Sequence, residues 1–204
     1  VAVAIEKKTA GEICTALSMA EFSAKDIDSL SEIVSQSPGI HIYGRAIVGE
    51  GAFALFNTSS ANPLARTVFA LDRRHHARNV LALFDASALD VKDAIVRIES
   101  MGNSKTSAMS QRLRPMSSMV MPAFTRTFDA IVRAEISRDL LLIVLAIEKY
   151  RLESGGLPES PAQLVPRFIS EIQLDPYSSG PYLYLREDKG FVVYSVGPDR
   201  VDGH

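Results

Sequence analysis

The chain has one cysteine, Cys14, no tryptophan, and no uninterrupted apolar run longer than the eight residues Leu140 to Ile147. A lone cysteine excludes an internal disulfide and any multi-thiolate metal site built from one chain, and says nothing of compartment. Cys14 lies on an apolar helical stripe and reads as a small core residue. Eight apolar residues fall far short of the ~20 that span a bilayer. An excess of either charge is also lacking: 22 basic against 24 acidic side chains give a net −2, with no bulk footprint for a nucleic-acid partner. There is no Gly-x-Ser-x-Gly nucleophile elbow and no phosphate-cradling glycine loop. The chain opens Val1-Ala2-Val3 without an initiator methionine, so an upstream export or anchoring segment is expected. Contact with a membrane is expected only through it.

What is present describes a globular protein. Hydrophobic residues make up 47% and charged residues 23% of 204, enough for one domain or two small ones with a substantial core. From the start to about Glu153 the pattern is helical. Ser23 reads as an N-cap with Asp26 at the third helical position, and Phe22 and Ile27 sit where a hydrophobic staple places them. Ile27, Leu30, Ile33 and Val34 supply that helix's buried face, and Pro38-Gly39 stops it. A weaker stripe from Ile40 is interrupted by Gly44, Gly49 and Gly51, and Asn57 to Pro63 reads as a loop. Helical periodicity returns over Leu64 to Phe84 and Asp90 to Met101. Gly102 to Pro122, rich in Ser and Met, reads as a long connection. A helix of about 30 residues then follows from Ala123 to Glu153, with Phe128, Val132, Ile136, Leu140, Ile143, Ile147 and Tyr150 spaced at three and four. Ser154-Gly155-Gly156 caps it. After a short turn at Ser160-Pro161, two β-rich runs, Tyr182 to Arg186 and Phe191 to Ser195, are joined by Glu187-Asp188-Lys189-Gly190, a hairpin signal.

The order of landmarks over about the last 60 residues carries a resemblance. Ala146-Ile147-Glu148-Lys149-Tyr150-Arg151 ends a helix. Gly156-Leu157-Pro158, Leu164-Val165-Pro166, Leu174-Asp175-Pro176-Tyr177, Gly180-Pro181-Tyr182-Leu183-Tyr184, Gly190-Phe191-Val192-Val193-Tyr194-Ser195 and Val196-Gly197-Pro198-Asp199 follow in turn. In this series the chain resembles the C-terminal part of bacterial type II secretion pseudopilins of the G type. The resemblance implies a long helix with a small antiparallel sheet on its C-terminal half, and an extracytoplasmic place in the bacterial envelope. It also implies a calcium loop after the last strand. Carried over, that site takes the Val196 carbonyl and the Asp199 side chain; the family's later aspartates would lie past His204, so Asp202 stands in for them and Asp175 is a further carboxylate to consider. No prepilin-type apolar opening is present, and about 120 helical residues precede the matching segment. The resemblance therefore supports a shared C-terminal module over membership of the secretion machine.

Other candidate chemistry is sparse. Arg73-Arg74-His75-His76-Ala77-Arg78 spreads around a helix and reads as a solvated face, with an anion or acidic-partner patch as the alternative; adjacent His75 and His76 point about 100° apart and cannot both ligate one metal. Asp85, Asp90 and Asp93 read as ordinary helix-start acids. Arg133, Glu135, Arg138 and Asp139 pair along the long helix or bridge to an upstream layer. Asn57-Thr58-Ser59 fits a glycosylation sequon. The expected protein is α+β: a mainly helical domain at 1–122, and a long helix with the hairpin module at 123–204. The leading functional expectation is a non-catalytic structural or protein-interaction module, acting through a protein partner or self-association, with no cofactor beyond the implied calcium. The runner-up is a hydrolase or small-ligand binder sited between the helical part and the C-terminal sheet, using His75, His76 or Asp residues gathered by folding. A sensor or adaptor role for the helical part is a third.

Overall fold

In a computed structural model of the chain, the described residues are 23–36, 46, 49, 63–102, 114–178, 180–187 and 190–201. They form an α+β protein of four helices and one two-stranded antiparallel sheet. The staple residue Phe22, the stop Pro38-Gly39, the stripe from Ile40 to Phe56 apart from two isolated positions, the sequon and Cys14 lie outside the described residues. Chain contacts divide the protein into two compact units, one of residues 1–37 with 134–204 and one of residues 38–133. This division falls inside a helix, between Arg133 and Ala134, and groups the N-terminal helix with the C-terminal unit.

In that C-terminal unit, α1 (Ala24–Ser35) begins with the expected reciprocal cap. Ser23 Oγ accepts from the Asp26 N–H at 3.3 Å, and Asp26 Oδ2 accepts from the Ser23 N–H at 3.0 Å, which satisfies two of the donors a helix start leaves open. Ile27 is its buried anchor, whereas Ile33, expected on the same face, is 67% exposed. An ion pair from Asp28 to Lys149 ties α1 to the end of the long helix. That helix, whose C-terminal part belongs here, buries every residue from Ile143 to Ile147. A helix apolar on all sides is one surrounded by other structure, and each large side chain buried there contributes about 1.5–3 kcal/mol. Gly155 terminates it at φ 77°, in the left-handed region glycine favours, with its N–H on the Arg151 carbonyl at 2.9 Å. A 3₁₀ turn, Pro161–Leu164, follows, with Leu164 fully buried.

The hairpin closes the unit. β1 (Leu183–Glu187) and β2 (Gly190–Tyr194) pair from Leu183↔Tyr194 to Glu187↔Gly190, and Leu174↔Pro181 adds an isolated bridge. Alternation puts Tyr182, Tyr184, Phe191 and Val193 on one face. Tyr182 reaches across to α-helical Asp139 (3.4 Å), the Tyr184 hydroxyl donates to the Pro158 carbonyl (2.8 Å), and Tyr184 packs on Phe191. The hairpin therefore lies on the long helix. Fully buried Phe191 anchors its inner face.

In the other unit, α2 (Pro63–Ser87) and α3 (Val91–Gly102) form a helical hairpin. Asp72, His76, Val80, Leu83, Ala86 and Ser87 make one buried stripe of α2 at helical spacing, while Leu81 and Phe84 are exposed. The long helix, α4 (Pro115–Ser154), starts in this unit, eight residues before the expected Ala123. Residues 103–113 lie outside the described set, but 115–122 are helical and not a connection. Pro115 stands at the first helical position, where its missing N–H costs nothing. Pro122 sits inside the helix; the Thr125 hydroxyl donates to the nearby Met121 and Pro122 carbonyls.

Candidate functional site

Two buried aspartates organise the polar interior, one in each unit. In the C-terminal unit Asp175 is 1% exposed. Proline at 176 fixes the turn that turns its side chain back on the chain. Its Oδ1 accepts from the Tyr177 N–H and the Ser195 hydroxyl, each at 2.9 Å, and its Oδ2 accepts from the Val196 N–H at 2.8 Å. Its own N–H donates to the Gly180 carbonyl at 2.8 Å. The carboxylate thus clasps the end of β2 to the loop that precedes β1.

Beyond the clasp, residues 197–200 form a turn with Gly197 at φ 76° and Arg200 at φ 57°. The Arg200 N–H donates to the Gly197 carbonyl (3.1 Å) and the Val201 N–H to Asp199 Oδ1 (3.3 Å). Of the residues implied for calcium, Asp199 is in this turn and Val196 directly precedes it; Asp202 lies outside the described residues. Calcium takes six to eight oxygens. Asp199 supplies one carboxylate already accepting an N–H, Asp175 turns both oxygens onto donors, and among the described residues no group of three or more His, Cys, Asp or Glu is placed to hold a metal ion.

In the helical unit, Asp72 is fully buried. Its Oδ1 accepts from the Ser117 hydroxyl at 2.5 Å and from the Ser117 N–H at 3.2 Å. Ser117 is the third residue of α4, so a side chain 45 positions earlier caps that helix, where a carboxylate meets both open N–H groups and the positive end of the helix dipole. A cap of this kind is worth about 1 kcal/mol. One turn on, His76 is fully buried and stacks on Phe124 with ring centroids 6.0 Å apart; it is no part of a solvated face. His75 is half-buried, with Nε2 3.2 Å from Asn79 Nδ2 and 3.3 Å from Arg114 Nη1. A guanidinium only donates, so this nitrogen carries no proton. Burial first, then the positive Arg114, holds the His75 imidazole below the usual histidine range, with Asp72 opposing.

Folding therefore gathers Asp72, His75, His76, Arg114 and Ser117, a set that sequence reading did not assemble. Asp85, Asp90 and Asp93, the acids considered with the histidines, are exposed. Asp72 was missed although a signal existed: it falls on the same 3.6-residue stripe as Val80 and Leu83, where an acid demands a partner. The Ser117 proton goes to a carboxylate, not an imidazole, so these five residues are not arranged as a serine–histidine–aspartate relay. Along α4, Arg138 pairs with buried Glu135 at 2.7 Å and with Asp139 at 3.1 Å. Burial pushes the Asp139 carboxyl up against the pull of Arg138 and Tyr182, and burial with Asp139 beside it raises the Tyr182 phenol. Among the described residues no helix is long and apolar enough to cross a membrane. No family model, no curated protein and no solved structure matches the chain.

Proposed function

We propose that the protein is a non-catalytic protein-interaction module of the bacterial envelope, whose C-terminal unit presents a partner-binding face on a clasped scaffold. One observation carries this reading. A hairpin that covers a helix with one face usually shows polar residues on the other, yet here that other face carries Leu174, Pro181, Leu183 and Leu185 beside buried Val192 and half-buried Tyr194, with Glu187 its one charged position among the described residues. Leu174 is 62% and Leu185 43% exposed, and the register puts all four on one side of the sheet. An apolar outer face held rigidly by the Asp175 clasp and the Tyr182 and Tyr184 hydroxyls suits association with another protein. The ordered motif series at the C-terminus supports the envelope as the compartment.

The test is to place a photo-crosslinking residue at Leu185 in the full-length gene product, in a bacterial cell, and to fractionate the cell. A discrete crosslinked species in the envelope fraction, lost when Leu174→Ser is added, is expected. A cytosolic protein that gives no such species would end the proposal.

A further inference from the structure

The net charge of −2 averages two opposed halves. Residues 38–133 hold 12 basic and 7 acidic side chains, a net +5, and the remainder of the chain holds 10 basic and 17 acidic, a net −7. The expectation of electrical balance therefore holds for the sum and fails for each unit. Within the basic unit the imbalance is local. Residues 63–78 and 103–126 carry eight basic side chains and a single acid, Asp72, whose carboxylate is engaged with Ser117. Arg73, Arg74 and Arg78 are exposed, and Arg114, at the start of α4, comes to within 3.3 Å of His75 on α2. In the other unit, Glu135, Asp139, Asp28, Glu148 and Glu153 are held in ion pairs. That unit nonetheless keeps exposed acids outside those pairs, among them Glu32, Glu159, Glu171 and Glu187.

We propose that Arg73, Arg74, Arg78 and Arg114 of one copy form a docking surface for the acidic surface of residues 134–204 of a second copy. Charge complementarity argues for this occupant: the chain itself supplies an opposite partner of similar magnitude, and a total of −2 leaves little long-range repulsion between copies. After burial, Arg114 and Arg78 also hold the nearby His75 imidazole below the usual histidine range, against the pull of Asp72. Such a contact joins unlike surfaces and so repeats head to tail. This inference deepens the interaction reading by naming a partner, and its acidic side is tested at Glu159 and Glu171, outside the hairpin strands.

Sedimentation velocity of the purified full chain tests it, across a concentration series at about 10 mM and about 1 M salt, where the Debye length is roughly 30 Å and 3 Å. Mass should rise with concentration at low salt, with association about a hundredfold weaker at high salt. The charge reversal R73E/R74E/R78E should abolish association, as should E159K/E171K, and mixing the two variants should restore it. All these positions are exposed, and circular dichroism checks that each variant folds. A wild-type chain that stays monomeric at both salts, or a triple variant that associates like wild type, overturns the proposal while leaving the Leu185 reading standing. Monomeric protein that instead binds anionic phospholipid vesicles or random-sequence duplex DNA at low salt overturns it too, because the basic face then serves another class of partner.

Discussion

Removing the Asp175 carboxylate should unfasten the C-terminal unit. The side chain accepts three hydrogen bonds, from the Tyr177 N–H, the Ser195 hydroxyl and the Val196 N–H. A bond to an ionised acceptor is worth about 1.5–3 kcal/mol, so simple addition would give more than 4 kcal/mol. Tyr177, Ser195 and Val196 are only half-buried, and water can replace part of what is lost. Asp175→Ala is therefore expected to cost about 3 kcal/mol, a fall in Tm of roughly 6–12 °C for a chain of this size. Asp175→Asn keeps the shape but can bring an amide donor up to the Val196 N–H, and should cost about 2 kcal/mol. Ser195→Ala deletes a single bond and should cost about 1 kcal/mol, with a coupling of similar size in the D175A/S195A double mutant. Urea denaturation followed by circular dichroism gives the energies, and amide exchange should show Val196 losing protection first. If D175A lies within about 1 kcal/mol of wild type, or S195A costs as much as D175A, the clasp is not what holds the hairpin.

Two further outcomes follow from the sites. The His75 imidazole, followed by NMR, should titrate below the ordinary histidine value of about 6.5, and Arg114→Ala should move its midpoint upward, because Arg114 is the largest charged contributor to the depression. The native state thus binds fewer protons than the unfolded one, so the stability due to neutral His75 is present above about 6.5 and is lost as pH falls through the native midpoint; a midpoint at or above 6.5, or one indifferent to R114A, would refute the geometry. If the turn holds the calcium that the resemblance implies, calcium at a hundredfold its Kd should add about 2.7 kcal/mol and raise Tm by several degrees, a rise lost in Asp199→Ala; an unchanged Tm would remove the site.

Features set by neighbours in sequence were legible, and features set by distant residues were not. The Ser23–Asp26 cap involves four consecutive residues, Gly155 follows its helix directly, and the hairpin runs alternate with a period of two around a short turn, so local rules suffice. The start of α4 depends instead on Asp72, 45 positions away, which supplies the cap that residues 103–114 do not advertise. Without that partner, Pro122 looked like a boundary. His76 shows the same limit: beside three arginines it reads as solvated, and only the stripe it shares with Val80 and Leu83 places it inside. The charge division was present in composition but erased by summing over a chain whose units interleave in sequence, with residues 1–37 joining 134–204.

The buried acids also bear on the choice between an interaction module and an enzyme. A general acid or base must exchange a proton with a substrate while staying in place. For Asp72 to do so it would have to loosen the Ser117 contacts that start α4, and Asp175 would have to release the strand end it clasps; chemistry at either would be coupled to partial unfolding. Glu135 is held by Arg138. Asp139 differs, because burial raises its proton affinity and its neighbour Tyr182 offers a hydroxyl. Yet Arg138 on one side and the Tyr182 hydroxyl on the other also make it the link that fixes the hairpin's inner face to α4. Asp72, Asp175, Glu135 and Asp139 are thus each engaged in holding a helix start, a strand end or a helix–hairpin link in place.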